Sequence, residues 1–406
     1  MKLERNASVC MKALPFWIIP YTYYMYYLSL YLMEKGMDSG HVTTLMTISN
    51  ISALFFSFFA APIVDRMGRK NSLLVFDLVS SVLPALIFLL NASFVSVAVG
   101  MILVGMNRIM STAYYLLLIE DTSDKNSIDS MNAFNIISVG AGILTPLAGI
   151  IVSRLGIISA EKLFLAVSVV SMTAQALIRH VFVVETPTGK EMMRISRGRH
   201  ISNPFAMYIP TIKWLWKNSS ATRALAINAF IYVYYTVGTT SSLLFTPYFS
   251  NHKGLSGITL SLVGGIYAGA TLFTMLIVNP RLEGNNIRTS MIVSSFLSIV
   301  GFFGMMMCPR GNLVVLFVSL VLIAFSYGNL KSMSDAVLAM ECEGEYGSTL
   351  YSFSFVLSAL LSIIALQIVQ VLYAISPNWM FGFSLIIVFF VLIVSFGYRV
   401  RSNTNG

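Results

Sequence analysis

Charged side chains are scarce in this sequence, and their scarcity excludes an ordinary soluble domain. Only 11% of the 406 residues are charged, whereas 56% are hydrophobic and the mean hydropathy is +0.78. Apolar runs of about 20 residues, the length that crosses a bilayer, recur along the whole chain. We therefore predict that the net charge of +9 reflects basic loops beside a membrane and not a nucleic-acid surface.

Cysteine is also rare, and the pattern of the three copies excludes two kinds of site. Cys10, Cys308 and Cys342 lie far apart, without a CxxC pair or a nearby histidine cluster, so neither a disulfide framework nor a metal site is predicted. The sequence contains no HExxH, no GxSxG and no P-loop. We predict a protein that is not an enzyme, holds no cofactor and uses no ATP.

The apolar runs predict an all-α integral membrane protein with twelve transmembrane helices. The predicted spans are 13–33, 42–64, 72–90, 94–119, 128–152, 162–184, 224–249, 258–278, 291–308, 312–340, 350–374 and 380–398. No cleavable signal peptide is expected before the first span. An even number of spans places both termini on one side. Among the loop lysines and arginines, only Lys35, Arg154, Lys162, Lys253 and Arg310 fall on the opposite side, which predicts cytoplasmic termini in the plasma membrane.

One long polar connection divides the chain. We predict a first six-helix bundle at 1–184, a cytoplasmic linker at 185–223 and a second six-helix bundle at 224–406. The first half of the linker is basic and loop-like. Its second half, PTIKWLWK at 210–217, mixes tryptophan, leucine and lysine as a helix in the membrane interface does. Tethering to anionic lipid headgroups is the expected role of this linker, and a regulatory role is the alternative.

The loop after the second span carries the most specific motif. Its sequence, APIVDRMGRK at 61–70, contains Asp65, Arg66, Gly68, Arg69 and Lys70. It resembles the G-x-x-x-D-R-x-G-R-K/R signature of the major facilitator superfamily, with alanine for the first glycine. The resemblance covers nearly the whole chain. It implies two pseudo-symmetric six-helix bundles around a central cavity, lined mainly by spans one, four, seven and ten.

A faint repeat between the two halves supports this interpretation. YTYY at 21–24 recurs as YVYY at 232–235, and Arg108 in span four corresponds to Lys331 in span ten. Span five contains GAGILTPLAG at 140–149, which is similar to an element of proton-coupled drug antiporters but lacks several of its glycines. Close helix packing and a kink at Pro146 are the alternative explanation of that stretch.

Polar groups inside the predicted spans are the candidate binding residues. Arg108 and Lys331 are intramembrane cations, which cost at least about 2.5–3.5 kcal/mol each on insertion scales. Asp335, one turn from Lys331, is expected either to neutralise it or to carry a coupling proton. For Arg108 the alternatives are substrate binding and a fixed bridge to Asp77, which is itself a second coupling candidate.

Tyrosines on spans one and seven are the aromatic candidates for the cavity lining. Tyr24, Tyr27 and Tyr31 share one helix face, as do Tyr232 and Tyr235. Packing within the bundle or at the membrane interface is the alternative role for any one of them.

The resemblance also implies a cytoplasmic gate. Asp65 is expected against the start of span eleven, and Arg69 is expected to pair with Glu120 or Asp121 at the end of span four. We predict a monomeric secondary transporter that moves a small organic solute by alternating access, coupled to protons and with efflux favoured. Uptake of an anionic or sugar-like nutrient is the first alternative. A receptor or scaffold that keeps the fold without transport is the second.

Overall fold

The computed structural model describes residues 4–120, 124–196, 208–281, 287–341 and 347–398. Within these ranges the regular structure is helical, without a strand, which confirms the predicted all-α fold. The chain divides into two compact units, Met1–Pro204 and Phe205–Gly406. The boundary between them falls inside the predicted linker.

The described part of the first unit contains ten α-helices. They are α1 (Arg5–Glu34), α2 (Ser39–Met67), α3 (Arg69–Asp77), α4 (Leu83–Leu90), α5 (Phe94–Gly105), α6 (Asn107–Ile119), α7 (Asp124–Ile143), α8 (Thr145–Leu155), α9 (Ile157–Phe182) and α10 (Pro187–Ser196). Within this unit, α1 packs along α9, and α2 packs along both α5 and α6.

Eight α-helices follow in the described part of the second unit. They are α11 (Tyr208–Lys217), α12 (Ser219–Gly238), α13 (Phe245–Pro247), α14 (Gly257–Phe273), α15 (Ile287–Met307), α16 (Leu313–Glu341), α17 (Gly347–Ile375) and α18 (Trp379–Gly397). The helix predicted at 210–217 is present as α11, and it packs against α12 and α17.

Several spans that were predicted as continuous are interrupted. A π-helical turn at Leu78–Val82 joins α3 to α4. Pro84 follows two residues later and has no backbone N–H to donate, so the regular hydrogen-bond pattern of the helix is interrupted here. The helix of span four tightens at Met106. Span five breaks at Leu144, which confirms the predicted kink beside Pro146.

Span seven was wrongly predicted as one helix over 224–249. Helix α12 ends at Gly238, and Thr239 is extended, with φ −122° and ψ −179°. The Thr239 hydroxyl donates to the Tyr235 carbonyl at 2.7 Å and accepts from the Ser241 N–H at 3.2 Å. Serine and threonine hydroxyls compete in this way with the helical hydrogen bonds of the backbone, so the run of them at 239–242 ends the helix.

Ten segments of the described chain are long and apolar enough to cross a membrane, and each coincides with a predicted span. The two other predicted spans correspond to α1 and α12, which are both helical. Tyrosine, threonine and proline lower the hydropathy of these two helices. They are the tyrosine-rich helices on which part of the candidate site was placed.

Close packing of α15 on α16 fixes the helix that carries Lys331. The Asn329 amide donates to the hydroxyls of Ser290 and Ser294, at 2.7 Å each. A Cβ atom on Gly301 would lie 3.1 Å from the Ser319 carbonyl oxygen, so the two backbones nearly touch there. Small residues and interhelical hydrogen bonds of this kind hold helices together where no hydrophobic effect operates.

Candidate functional site

The motif after span two turns sharply at Gly68. Its φ of +83° lies in the left-handed region, where glycine avoids the clash of a side chain. A Cβ atom at this position would also lie 2.6 Å from the Glu185 Oε2 atom. The loop therefore requires glycine twice, for its backbone angle and for the close approach of Glu185.

Arg69 lies at the centre of a charged network in this loop, which we call the loop network. Its side chain is only 3% exposed, and its Nη1 donates to Asp65 Oδ1 at 2.9 Å. Nη2 donates to Glu120 Oε1 at 2.7 Å, and Nε donates to Glu120 Oε2 at 3.1 Å. The predicted pairing of Arg69 with Glu120 is thus seen, in the bidentate form that guanidinium groups favour.

Two residues that the sequence analysis left out complete the loop network. The Glu185 carboxylate accepts from the backbone N–H groups of Arg69 and Lys70, at 3.0 Å each, and so caps the N-terminus of α3. The Thr186 hydroxyl donates to Glu120 Oε2 at 2.7 Å. An anion at a helix N-terminus is stabilised by the free N–H groups there. The sequence does contain a sign of this cap, because the acidic residue Glu185 directly follows the predicted span six, although it was assigned to the linker.

The other residues of the predicted gate contribute less to the loop network. Arg66 is exposed, and Lys70 contributes its backbone N–H. Asp121 lies outside the described residues. Asp65 was expected to contact the start of span eleven. Residues 342–346, directly before that span, also lie outside the described residues, so this contact stays a prediction.

A second ion pair lies deep in the first unit. Asp77 Oδ2 accepts from Arg179 Nη2, with the two side chains 2% and 3% exposed. The Arg179 guanidinium also lies 5.4 Å from the centre of the Tyr114 ring, a cation–π contact. Arg179 is therefore the partner of Asp77, which replaces the alternative in which Asp77 neutralises Arg108. Arg108 itself is half-buried in the first turn of α6.

The tyrosines of span one lie in the core of the first unit. Tyr24, Tyr27 and Tyr31 are each at most 1% exposed, and the Tyr27 ring lies 6.3 Å from that of Phe164 on α9. Tyr27 thus packs against α9, whereas Tyr31 borders a polar pocket with Lys35 and Lys162, so a role of these three tyrosines in a solute cavity stays a prediction. Packing was the stated alternative.

The second unit, by contrast, gathers the candidates of spans seven and ten into one cluster. Lys331 Nζ donates to Asp335 Oδ1 at 2.6 Å, and the two side chains are 37% and 51% exposed. Asn228 Nδ2 on α12 approaches the same Asp335 oxygen at 3.3 Å. The predicted pairing of Lys331 with Asp335 is therefore seen, and α12 reaches it.

Aromatic rings extend this cluster, which we call the second-unit cluster. Tyr235 is 39% exposed and stacks on Tyr327, with ring centroids 5.9 Å apart and an interplanar angle of 20°. The Tyr232 ring lies 6.1 Å from that of Tyr235. Asn228 and Tyr327 were not predicted, although helical spacing points to both. They precede Tyr232 and Lys331 by four residues each, on the same helix faces.

Comparison with known proteins agrees with this arrangement of helices. Residues 9–366 match the family model described as Major Facilitator Superfamily. The fold is similar to a D-xylose–proton symporter, with a TM-score of 0.73, 13% identity and coverage of 95% of this chain and 96% of that one.

Two further solved structures share the fold. A human organic anion transporter gives a TM-score of 0.65 and 12% identity, covering 96% of this chain and 99% of that one. A nucleoside transporter gives a TM-score of 0.67 and 11% identity, covering 97% and 98%. No curated protein sequence shows a significant match.

Proposed function

We propose that this chain, which belongs to the Major Facilitator Superfamily and is therefore a membrane transporter and not an enzyme, moves a small organic solute by alternating access. The observation that carries the proposal is the second-unit cluster, where an ion pair lies beside a stack of tyrosines on helices of span length. Charged and polar groups within membrane spans typically form the solute-binding site of a transporter, near the middle of the membrane.

The Lys331–Asp335 pair belongs on a face that meets water or solute. Both residues lie on a segment apolar enough to span the membrane, and both side chains are more than one third exposed. Exposing either charge to lipid would cost at least about 2.5–3.5 kcal/mol, so a lipid-facing position is disfavoured. This face of α16 therefore supports a hydrated binding surface.

The second-unit cluster suits a solute with a ring or another flat apolar face and several polar groups. The exposed ring of Tyr235 offers a stacking surface that Tyr327 supports from behind. Lys331 and Asp335 offer a cation and an anion, and Asn228 adds an amide. Recognition of such a solute would combine stacking with hydrogen bonds to charged groups.

Coupling to protons is the next part of the proposal. Of the two aspartates that were predicted for this role, Asp335 fits better, because its carboxylate is half exposed and paired with a partly exposed lysine. Asp77 is held in a buried pair with Arg179. A proton could reach Asp335 without unpacking the unit, whereas protonation of Asp77 would leave a buried guanidinium without its counter-charge.

Efflux of amphipathic compounds is the proposed direction, supported by the antiporter-like sequence of span five and by the aromatic surface. Uptake of an anionic or sugar-like nutrient is the second candidate, because Lys331 and Arg108 are cations on helices of the predicted cavity. The similar structures include a sugar–proton symporter and an organic anion transporter, but at 13% and 12% identity they support the fold alone.

The loop network is proposed as a cytoplasmic latch. It ties the ends of α2, α6 and α9 to the start of α3 through Asp65, Glu120, Glu185 and Arg69. A loop cluster of this kind shares no residue with the second-unit cluster, so it is suited to controlling the rate of opening and not the affinity for solute. We also propose that the protein is a monomer of the plasma membrane, crosses it twelve times and has both termini in the cytoplasm.

A binding screen tests the proposed function. The purified protein is heated with D-xylose, uridine, succinate or ethidium, at acidic and at neutral pH, and its melting temperature is recorded. We expect one of these four probes to raise the melting temperature, and the rise to vanish in Lys331→Gln. Transport of that probe into or out of proteoliposomes then separates a transporter from a receptor, since a receptor would bind the probe and move none. Stabilisation by all four probes alike would contradict a specific site.

A further inference from the structure

Glu161 is a buried acid that the proposed function has not used. It is the fifth residue of α9 and is 0% exposed, and neither carboxylate oxygen has a hydrogen-bond partner among the described residues. An ionised carboxylate is stable inside a protein only when it is paired or receives hydrogen bonds. The attraction of a helix N-terminus for an anion falls off within the first turn, and Glu161 lies just beyond it.

The packing of α1 on α9 places Glu161 among tyrosines. The two helices run antiparallel, because Phe16 contacts Ser171 and Tyr27 contacts Phe164. Glu161 lies one turn before Phe164, and therefore on the same face of α9, which packs against the tyrosine-bearing part of α1.

No cation among the described residues forms a hydrogen bond with this carboxyl group, and Lys35 at the end of α1 lies over the Tyr31 ring, with its Nζ 6.0 Å from the ring centre. Lys162 follows it on α9 but points to the surface, and Arg154 on α8 is exposed. Arg179 is occupied by Asp77 and lies about 27 Å away along α9, at 1.5 Å per residue. Helix α3 also packs on α9, and its charged residues are Asp77, which pairs with Arg179, and Arg69 and Lys70 in the loop network. Helix α4 and the π-helical turn before it contain no titratable side chain. The neutral acid is therefore the form that this surrounding stabilises.

A polar pocket lies beside the residue that follows Glu161, because Lys162 is part of its lining. The pocket has a volume of about 360 Å³ and is lined by Tyr31, Lys35, Lys162, Asn91 and Ser93 with their neighbours. Tyr31 therefore borders the pocket and belongs to α1, the helix that packs against α9. Lys35 and Lys162 belong to the few basic residues that the topology prediction places outside the cell, so the pocket is expected to open outward.

We propose that Glu161 is a proton-binding site of this transporter, which holds its proton inside the first unit and exchanges it with the outer solution through the pocket beside Tyr31. The proposal rests on the proton coupling proposed above and adds a second carboxyl group to Asp335, which was favoured there over Asp77. Binding converts the carboxylate and one proton from water into the neutral acid, and release returns that proton to water. The charge of the first unit thus changes by one at a fixed position.

Infrared spectroscopy tests the protonation without any solute. The carbonyl band of neutral carboxylic acids is recorded for the purified protein during a pH titration, in the wild type, in Glu161→Gln and in Glu34→Gln. Glu34 is an exposed glutamate at the end of α1, so its variant is the matched control for the same chemical change. We expect the acid band at neutral pH in the wild type and the control, and its loss in Glu161→Gln. Identical bands in all three proteins would show that Glu161 is ionised and would overturn the proposal.

Melting temperatures recorded over the same pH range give a second, independent arm. If the folded protein holds one proton that the unfolded chain releases, unfolding becomes more favourable as the pH rises. The unfolding equilibrium constant then increases tenfold per pH unit. We expect this loss of stability between neutral and alkaline pH to be smaller in Glu161→Gln than in Glu34→Gln. Equal slopes in the two variants would contradict a proton on Glu161, even if the Gln variant folds less well.

Transport in proteoliposomes tests the coupling, with whichever of the four probes stabilises the wild type. We expect a pH gradient to drive accumulation of this probe by the wild type and only equilibration by Glu161→Gln. Accumulation by both proteins would overturn the coupling role. If the wild type itself does not accumulate the probe, proton coupling fails as a whole, while the infrared result still decides whether Glu161 binds a proton.

Discussion

Arg179 and Asp77 form an ion pair that is almost fully buried, between residues 102 positions apart in the chain. The pair joins α9 to α3 inside the first unit, and the ring of Tyr114 on α6 covers the guanidinium. Three helices of the unit therefore meet at one charged contact. Its position in the core makes it a structural element of the first unit, unlike the partly exposed pair of Lys331 and Asp335.

Single neutral substitutions in this pair are expected to destabilise the protein strongly. Asp77→Asn or Arg179→Gln leaves one buried charge without its partner, which typically costs about 3–5 kcal/mol. The double variant removes both charges, so we expect it to recover most of the yield and melting temperature. Yield and melting temperature of the two singles and the double give the measurement.

Arg108 provides the control for that experiment. Combining Arg108→Gln with Asp77→Asn should give no recovery beyond the Asp77→Asn variant, because the structure pairs Asp77 with Arg179. Rescue by Arg108→Gln and not by Arg179→Gln would contradict the pairing described here.

The loop network should affect the rate of transport more than the affinity for solute. Glu185→Gln weakens the cap on the α3 N-terminus, and Arg69→Ala removes both ion pairs of the network. We expect a fall of at least tenfold in transport rate in either variant, with the stabilisation of the protein by its probe retained. The exposed Arg66→Ala is the matched control in the same loop. A variant that loses probe binding at an unchanged cycling rate would rule out a latch.

His252 should make the second unit sensitive to acid. Burial lowers the pKa of His252, the positive charge of Lys253 lowers it further, and its Nε2 lies 3.0 Å from Asn378 Oδ1. The unfolded chain then binds a proton at a higher pH than the folded protein, so stability falls as the pH falls below the ordinary histidine value of about 6.5. We expect the melting temperature of the wild type to decrease on such acidification more steeply than that of His252→Gln, which can still donate to Asn378. Equal slopes would show that His252 is not responsible.

The orientation of the chain is tested by labelling. The excess of basic residues predicts that Lys2 and Gly406 are both cytoplasmic. Single cysteines at these positions, in a variant without the three native cysteines, should resist an impermeant thiol reagent in intact cells and react after lysis. A cysteine at Lys35 is expected to react in intact cells and serves as the control. Labelling of either terminus from outside would reverse the topology.

Helix content and the positions of the spans could be predicted from the sequence, because apolar length is a strong local signal. Interruptions were harder to predict. The break beside Pro146 has a covalent cause in proline, and it was foreseen. The end of α12 at Gly238 depends on threonine and serine hydroxyls competing for the backbone, and the same residues also occur inside continuous membrane helices.

The candidate site could be predicted only where its residues are neighbours on one helix. Lys331 and Asp335 are four residues apart, so helical geometry alone brings them together. The partners of Asp77 and of the α3 N-terminus lie more than 100 residues away, on α9 and just beyond it. The rotation of one helix against another cannot be predicted from the sequence. This rotation also decides whether the tyrosines of span one face a solute or pack on α9.

The second-unit cluster yields the most direct test of the binding site. Its ion pair is partly exposed, and exposed pairs contribute only about 0–1 kcal/mol to stability. Lys331→Gln and Asp335→Asn should therefore leave the melting temperature of the unliganded protein within about 2–4 °C of wild type, because a change of about 1 kcal/mol shifts a larger domain by that amount. Both variants should still lose most of the stabilisation by the probe, since a charge-assisted hydrogen bond to solute is removed.

Substitution of Tyr235 separates stacking from hydrogen bonding in the same cluster. Tyr235→Phe keeps the ring on Tyr327 and loses only the hydroxyl, whereas Tyr235→Ala removes the exposed surface. A stacked solute predicts near-normal affinity in the phenylalanine variant and a loss of about 0.5–1.5 kcal/mol or more in the alanine variant, about twofold to thirteenfold in Kd. Isothermal titration of the probe measures both. Equal losses in the two variants would assign the contact to the hydroxyl, and no loss in either would remove Tyr235 from the binding surface.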